Sequence, residues 1–205
     1  MPKTNTKQKL IDAASELIWR NSYGSVSVDD ICKAADVRKG SFYHYFKSKV
    51  DLALASMENY YEQSKPFFDE AFSPTRPPLE RFERLAAIIL EKQAEARETY
   101  GHVCGCPFAT LGSEMAGQEE IIREKANEIF GRYEKYYIQA MRELMDEGLL
   151  DQNIDIQTRA NKLHAFGMGQ ALMGRIQNSL EPFKRDLIVG WMRILDVQYN
   201  EKERA

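Results

Sequence analysis

The chain has 205 residues, 43% hydrophobic and 29% charged, the balance of a globular protein that buries a real core without covalent staples. Its three cysteines, Cys32, Cys104 and Cys106, are odd in number and lack a secretory spacing, which excludes a disulfide framework and points to a reducing, cytoplasmic setting. The formal charge of −3 hides an asymmetry: nine basic and five acidic residues give +4 over residues 1–50, and nineteen and twenty-six give −7 over the rest, as in a polyanion-binding head on a body that avoids nucleic acid.

The start, MPKTNTKQKL, carries no apolar stretch of signal-peptide type, and no run approaches the roughly 20 apolar residues of a membrane span. No membrane partner is expected. Leu10, Ile11, Ala14, Leu17 and Ile18 fall at helical spacing behind the possible caps Thr4 and Thr6, predicting a first helix from about Lys7 to Asn21. Ser27 followed three residues later by Asp30 reads as a capping box and opens a short second helix to about Ala35. Asp36, which tolerates the left-handed conformation better than most residues, marks a tight turn.

A third helix is expected over about Lys39 to Phe46. At about 100° per residue, Phe42 and Phe46 fall together and read as core, while Lys39, Gly40, Ser41 and His44 lie on the opposite side with Tyr43 and Tyr45 at the edges. A fourth helix starts near Lys49 and runs toward residue 70, with Pro66 expected to kink or end it. The segment SPTRPP, residues 73–78, is the most linker-like stretch, and its last proline suits the first turn of a helix from Leu79 to about Tyr100. Helices follow from about Pro107 to Ala116, Gln118 to Glu147 with Gly148 as C-cap, Asp155 to Ser179, and Pro182 to Tyr199. No stretch alternates long enough to insist on a strand, so the class is all-α, with about nine helices.

A short helix after a turn and another short helix, with a polar and basic outer side, is the arrangement that enters a major groove about 12 Å wide. The residues SVSVDDICKAADVRKGSFYHYFKSKVDL, 25–52, resemble the DNA-binding signature of the TetR family of bacterial transcriptional regulators. The match falls at Ser27, Val28, Ile31, Ala35, Val37, Gly40, Ser41, Phe42, Tyr43, Tyr45, Phe46 and Lys49. It departs from the pattern at Cys32, Asp36 and Arg38, where the family has alanine, glycine and a capping Ser or Thr. The resemblance implies that Lys39, Gly40, Ser41 and His44 face base edges, and that Ser27, Tyr43, Tyr45 and Lys49 hold phosphates. It further implies a helix-turn-helix domain over 1–48 and an effector-binding and dimerisation domain over 49–205, no cofactor, a double-stranded DNA operator, a small-molecule effector and action as a repressor.

One recognition helix reads too few base pairs to find an operator, so a homodimer is expected on two half-sites about 34 Å apart. Gly167, Ala171 and Gly174 form a stripe of small residues, and Leu187, Trp191 and Ile194 share a face of the last helix; both stripes fit either a dimer interface or the subunit's own core. In HVCGCPFATLG, residues 102–112, a zinc site would need a fourth ligand beyond His102, Cys104 and Cys106, so no metal is expected. Cys106 stands at an expected helix start, where the helix dipole favours a thiolate; a redox or electrophile-sensing role is weighed against packing. Some TetR-like regulators with a similar Gly-Cys segment respond to electrophiles or oxidants. Phe108, Met115, His164, Phe166, Met168 and Gln170 are candidates to line an apolar effector cavity, and core packing explains them equally well. Competing classes are a small helical thiol-dependent oxidoreductase and a single-stranded nucleic-acid module stacking bases on Tyr43, His44 and Tyr45.

Overall fold

A computed structural model describes residues 5–197. Among these the chain is all helical, in the order α1 (Thr6–Arg20), α2 (Val28–Ala34), α3 (Lys39–Tyr45), α4 (Lys49–Ala71), α5 (Pro78–Tyr100), α6 (Pro107–Met115), α7 (Glu120–Asp146), α8 (Ile156–Gln177), a π-helical turn (Pro182–Asp186) and α9 (Leu187–Leu195). It divides into two compact units, Met1–Lys65 with Cys106–Ile129, and Pro66–Gly105 with Phe130–Ala205. The first unit is thus larger than the head expected at 1–48. The added residues complete its core: the apolar side of α1 has buried company in Leu52, Ala53 and Met57 of α4 and Phe108, Leu111 and Met115 of α6.

In the first unit the local signals act as the side chains dictate. Asn5 caps α1 by accepting from the Lys7 N–H at 3.2 Å; Thr6 is the first residue of the helix, and Thr4 lies outside the described residues. Leu10, Ile11, Ala14 and Ile18 bury one face of α1, the spacing an amphipathic helix requires. At α2 the box closes both ways: Asp30 N–H donates to Ser27 Oγ at 3.1 Å and Ser27 N–H to Asp30 Oδ2 at 2.8 Å. Asp36 adopts φ +52 and reverses the chain into α3. A second box opens α4, with Ser48 N–H on Asp51 Oδ2 at 3.1 Å and Asp51 N–H on Ser48 Oγ at 3.0 Å; together the two boxes fix how α3 leaves α2 and how α4 leaves α3.

In the second unit α4 continues through Pro66 to Ala71. Pro66 is exposed and forfeits one main-chain bond. The turns beyond it are held by aromatic packing, Phe68 stacked on Tyr133 at 4.3 Å and Phe72 edge-on to Phe82 at 5.5 Å, which offsets the loss. The stretch 73–78 is a tied loop, not a free linker. Buried Arg81 donates to the carbonyl of Arg76 at 2.8 Å and to Glu143 at 2.5 Å, and that hydrogen bond holds the Glu143 carboxyl below its ordinary pKa. The last helix stops at Leu195, short of the expected end, because Asp196 turns left-handed at φ +61; Tyr199 lies outside the described residues.

Candidate nucleic-acid interface

The third helix splits as the wheel requires. Phe42 is fully buried and Phe46 nearly so, their rings 6.0 Å apart, and they anchor α3 on the core of the first unit. On the outer side Lys39, Gly40 and His44 are exposed, Ser41 is half-buried, and Tyr43 and Tyr45 are 55% and 37% exposed. Apart from its chain neighbours and the backbone of its own helix, no atom of the described residues lies within 4 Å of where a Cβ at Gly40 would stand. The helix therefore presents donors and acceptors over bare backbone, a surface on which base edges and phosphates can be met directly.

Three expected DNA contacts, Lys39 for base edges and Lys49 and Ser27 for phosphates, also have partners within the head. Lys39 pairs with Asp29 at 2.8 Å, with both side chains more than half exposed; such a pair is worth little and exchanges readily for a phosphate. Lys49 is not free. Its Nζ donates to the Tyr23 carbonyl at 2.5 Å and lies 3.9 Å from the centre of the Tyr23 ring. Burial lowers its pKa, with the charges of Glu114 and Asp30 opposing. One of its three N–H donors is thereby committed to the turn of the head itself. Ser27 is exposed but occupied by the α2 cap, its Oγ also donating to Asp30 at 2.6 Å.

The expected effector residues separate. Cys106 and Phe108 lie in the first unit, where Phe108 packs edge-on to Tyr60 at 5.4 Å; Cys104, His164 and Met168 lie in the second. Cys106 sits at the start of α6, yet burial pushes its thiol up to about 11, outweighing the backbone N–H groups of Phe108 and Ala109 that act the other way. For this half-buried residue desolvation works against the activation toward thiolate expected of a helix start. Cys104 is fully buried in a strap pinned on both sides, Gly105 exchanging two hydrogen bonds with the Gln93 amide and Arg175 donating to the Cys104 carbonyl at 2.6 Å. His164 is 8% exposed, 4.7 Å from the Phe130 ring, and neither of its ring nitrogens has a hydrogen-bond partner among the described residues. Its pKa falls to about 4 through burial alone. Met168 is half-buried.

Of the two readings open for the stripes, packing inside the subunit accounts for most of their members. Leu187 and Trp191 are each 1% exposed; the indole N–H donates to the Leu163 carbonyl at 2.9 Å, and its ring lies 3.3 Å from where a Cβ at Gly167 would stand. A Cβ at Gly174 would collide with the Phe183 ring, Ala171 is buried, and Ile194 is half-buried. The small residues thus admit the subunit's own aromatic rings. The apolar side chains that α8 leaves bare are Leu172, Met173 and Ile176, the last 68% exposed. They continue a line through exposed Ala165 and Gly169 at helical spacing, a pattern that the sequence reading missed because it followed residue size and not exposure.

A three-helix head whose third helix hides its Phe side and bares its polar side, in an all-helical chain, defines a helix-turn-helix regulator of transcription. The description "Bacterial regulatory proteins, tetR family" matches residues 10–56, and "Tetracyclin repressor-like, C-terminal domain" matches residues 81–187. The transcriptional regulator AcuR of Cereibacter sphaeroides is 31% identical over 176 residues, 85% of this chain and 78% of that protein. The HTH-type transcriptional repressor DhaR of Mycobacterium sp. strain GP1 is 23% identical over 196 residues, 95% of each chain. A crystal structure of the regulatory protein TetR from Rhodobacter sphaeroides superposes with a TM-score of 0.79 at 30% identity, covering 92% of this chain and 95% of that one. The chain belongs to the TetR family: it is a transcriptional regulator and not an enzyme. Among the described residues no helix is long and apolar enough to cross a membrane.

Proposed function

We propose that the protein is a repressor that binds a palindromic duplex operator as a homodimer and leaves it when a small effector occupies the second unit. The observation that carries this reading is the division of α3, with Phe42 and Phe46 sealed and Lys39, Gly40, Ser41, Tyr43, His44 and Tyr45 turned outward. Twofold pairing through Ala165, Gly169, Leu172, Met173 and Ile176 of α8 covers apolar surface that is otherwise wet, and it supplies the two recognition helices that an operator needs.

For the effector, His164 supports a small, mainly apolar molecule with one hydrogen-bonding group. Its neutral imidazole carries a donor and an acceptor, both unmet, among the aromatic rings of Phe130 and Tyr137, and a buried polar group without a partner costs free energy that a ligand recovers. Release through modification of Cys106 is the weaker route, because a thiol held near 11 is scarcely ionised at neutral pH.

Selection from a random pool of DNA duplexes tests the reading. The expected product is an inverted repeat with half-site centres one helical turn, about 34 Å, apart. Enrichment of single strands alone, or of nothing, contradicts it. Repeating the selection with a mild thiol-reactive electrophile separates the two release routes, since binding should persist when only the thiol is challenged.

A further inference from the structure

The turn joining α1 to α2 is gripped from two sides by side chains distant in sequence. Glu114, in the last turn of α6, accepts from the Tyr23 N–H through Oε2 at 2.9 Å and from the Gly24 N–H through Oε1 at 2.6 Å. Lys49, the first residue of α4, donates to the Tyr23 carbonyl at 2.5 Å. A Cβ at residue 24 would stand 2.9 Å from Glu114 Oε1, so a side chain there would push the carboxylate from its present place. Hydrogen bonds to a carboxylate are shorter and stronger than neutral ones. Two of them converge on adjacent amides, and three residues beyond Gly24 the Ser27 box opens α2.

We propose that Glu114 is a positioning residue for operator binding: it makes the α1–α2 turn an extension of α6, and through Ser27 and α2 it sets the pose in which α3 meets the groove. This rests on the reading that the head binds duplex DNA. When α6 shifts, the two amides lose their acceptor and the turn is released. The carboxylate touches no DNA, so it acts only through the fraction of heads held in the binding pose, and apparent affinity falls in proportion to that fraction.

The test compares wild type, Glu114→Gln and Glu114→Ala in three measurements on the full chain. Affinity is measured on the duplex selected by wild type, amide exchange is followed at Tyr23 and Gly24, and exchange at core amides such as Leu10 and Phe42 reports on the fold. Glutamine keeps one acceptor oxygen and alanine none. The expected result is operator binding weakened about tenfold in Glu114→Ala, a threefold loss at each of two heads, with Glu114→Gln between. Exchange at Tyr23 and Gly24 should quicken while core protection stays. Affinity in Glu114→Ala within twofold of wild type, or tighter, overturns the proposal, as does unchanged exchange at the two amides. If wild type enriches no duplex, the DNA reading falls first and this one with it; a wild-type operator that is indifferent to residue 114 removes this one alone.

Discussion

Lowering the pH from 7 to 5 should cost the protein about 2 kcal/mol of stability through His164 alone. The ring is 8% exposed and unpartnered, and burial brings its pKa from 6.5 to about 4. The unfolded chain takes up a proton near pH 6.5, whereas the native ring takes none until about pH 4. Between those limits the unfolded state holds more protons, so the contribution is present above pH 6.5 and is lost as the pH falls. Over the whole window the loss approaches about 3.5 kcal/mol, at roughly 1.4 kcal/mol per unit, and somewhat more than half of it has occurred by pH 5. Urea unfolding of wild type and His164→Leu at pH 7, 6 and 5 isolates this group. Other titrating groups, such as Glu134 with its carboxyl pushed up by burial, cancel in the difference. The variant should lose less on acidification, by about 2 kcal/mol. Parallel pH profiles would refute the reasoning and show that the native ring finds a partner or water.

Gly174→Ala should destabilise the subunit by about 1 to 3 kcal/mol, because the new methyl meets the buried Phe183 ring; unchanged subunit stability with an altered dimer equilibrium would return that glycine to the interface. Leu172→Asp with Ile176→Asp should give monomers in sedimentation and weaken operator binding by about a hundredfold, the loss of two-headed attachment; a dimer that survives both carboxylates places the interface elsewhere. Lys39→Ala should lower the salt slope of operator binding by about one per head, while Lys49→Met, whose ammonium is already tied to Tyr23, should leave the slope alone and loosen the head by about 1 kcal/mol; the opposite pattern would reverse the two assignments.

Most of what local chemistry decides was legible in the sequence. The Ser27–Asp30 box, the left-handed Asp36 and the burial of Phe42 with exposure of His44 all follow from residue type and helical period. The Ser48–Asp51 box was equally legible and passed unread, since the pattern is the same as at Ser27. What escaped depends on contacts between distant segments. Glu114 lies about ninety residues from the amides it holds, and nothing local marks it. From sequence alone the small residues of α8 fit either a second copy or the subunit's own core, and the chain fills the spaces at Gly167 and Gly174 with Trp191 and Phe183. Cys106 showed the helix-start half of its environment but not the burial that outweighs it. Pro66 was read as a break, although aromatic stacking beyond it carries α4 onward.

The outward face of α3 is most directly tested by base preference. Ser41→Ala and His44→Ala proteins, each put through the same selection from random duplexes as wild type, should keep the spacing and symmetry of the site. Each should relax or change the preferred base at one symmetric pair of positions, with discrimination there falling by about 1 to 3 kcal/mol. Identical base preferences at every position in wild type and both variants would contradict the assignment of this face to the groove.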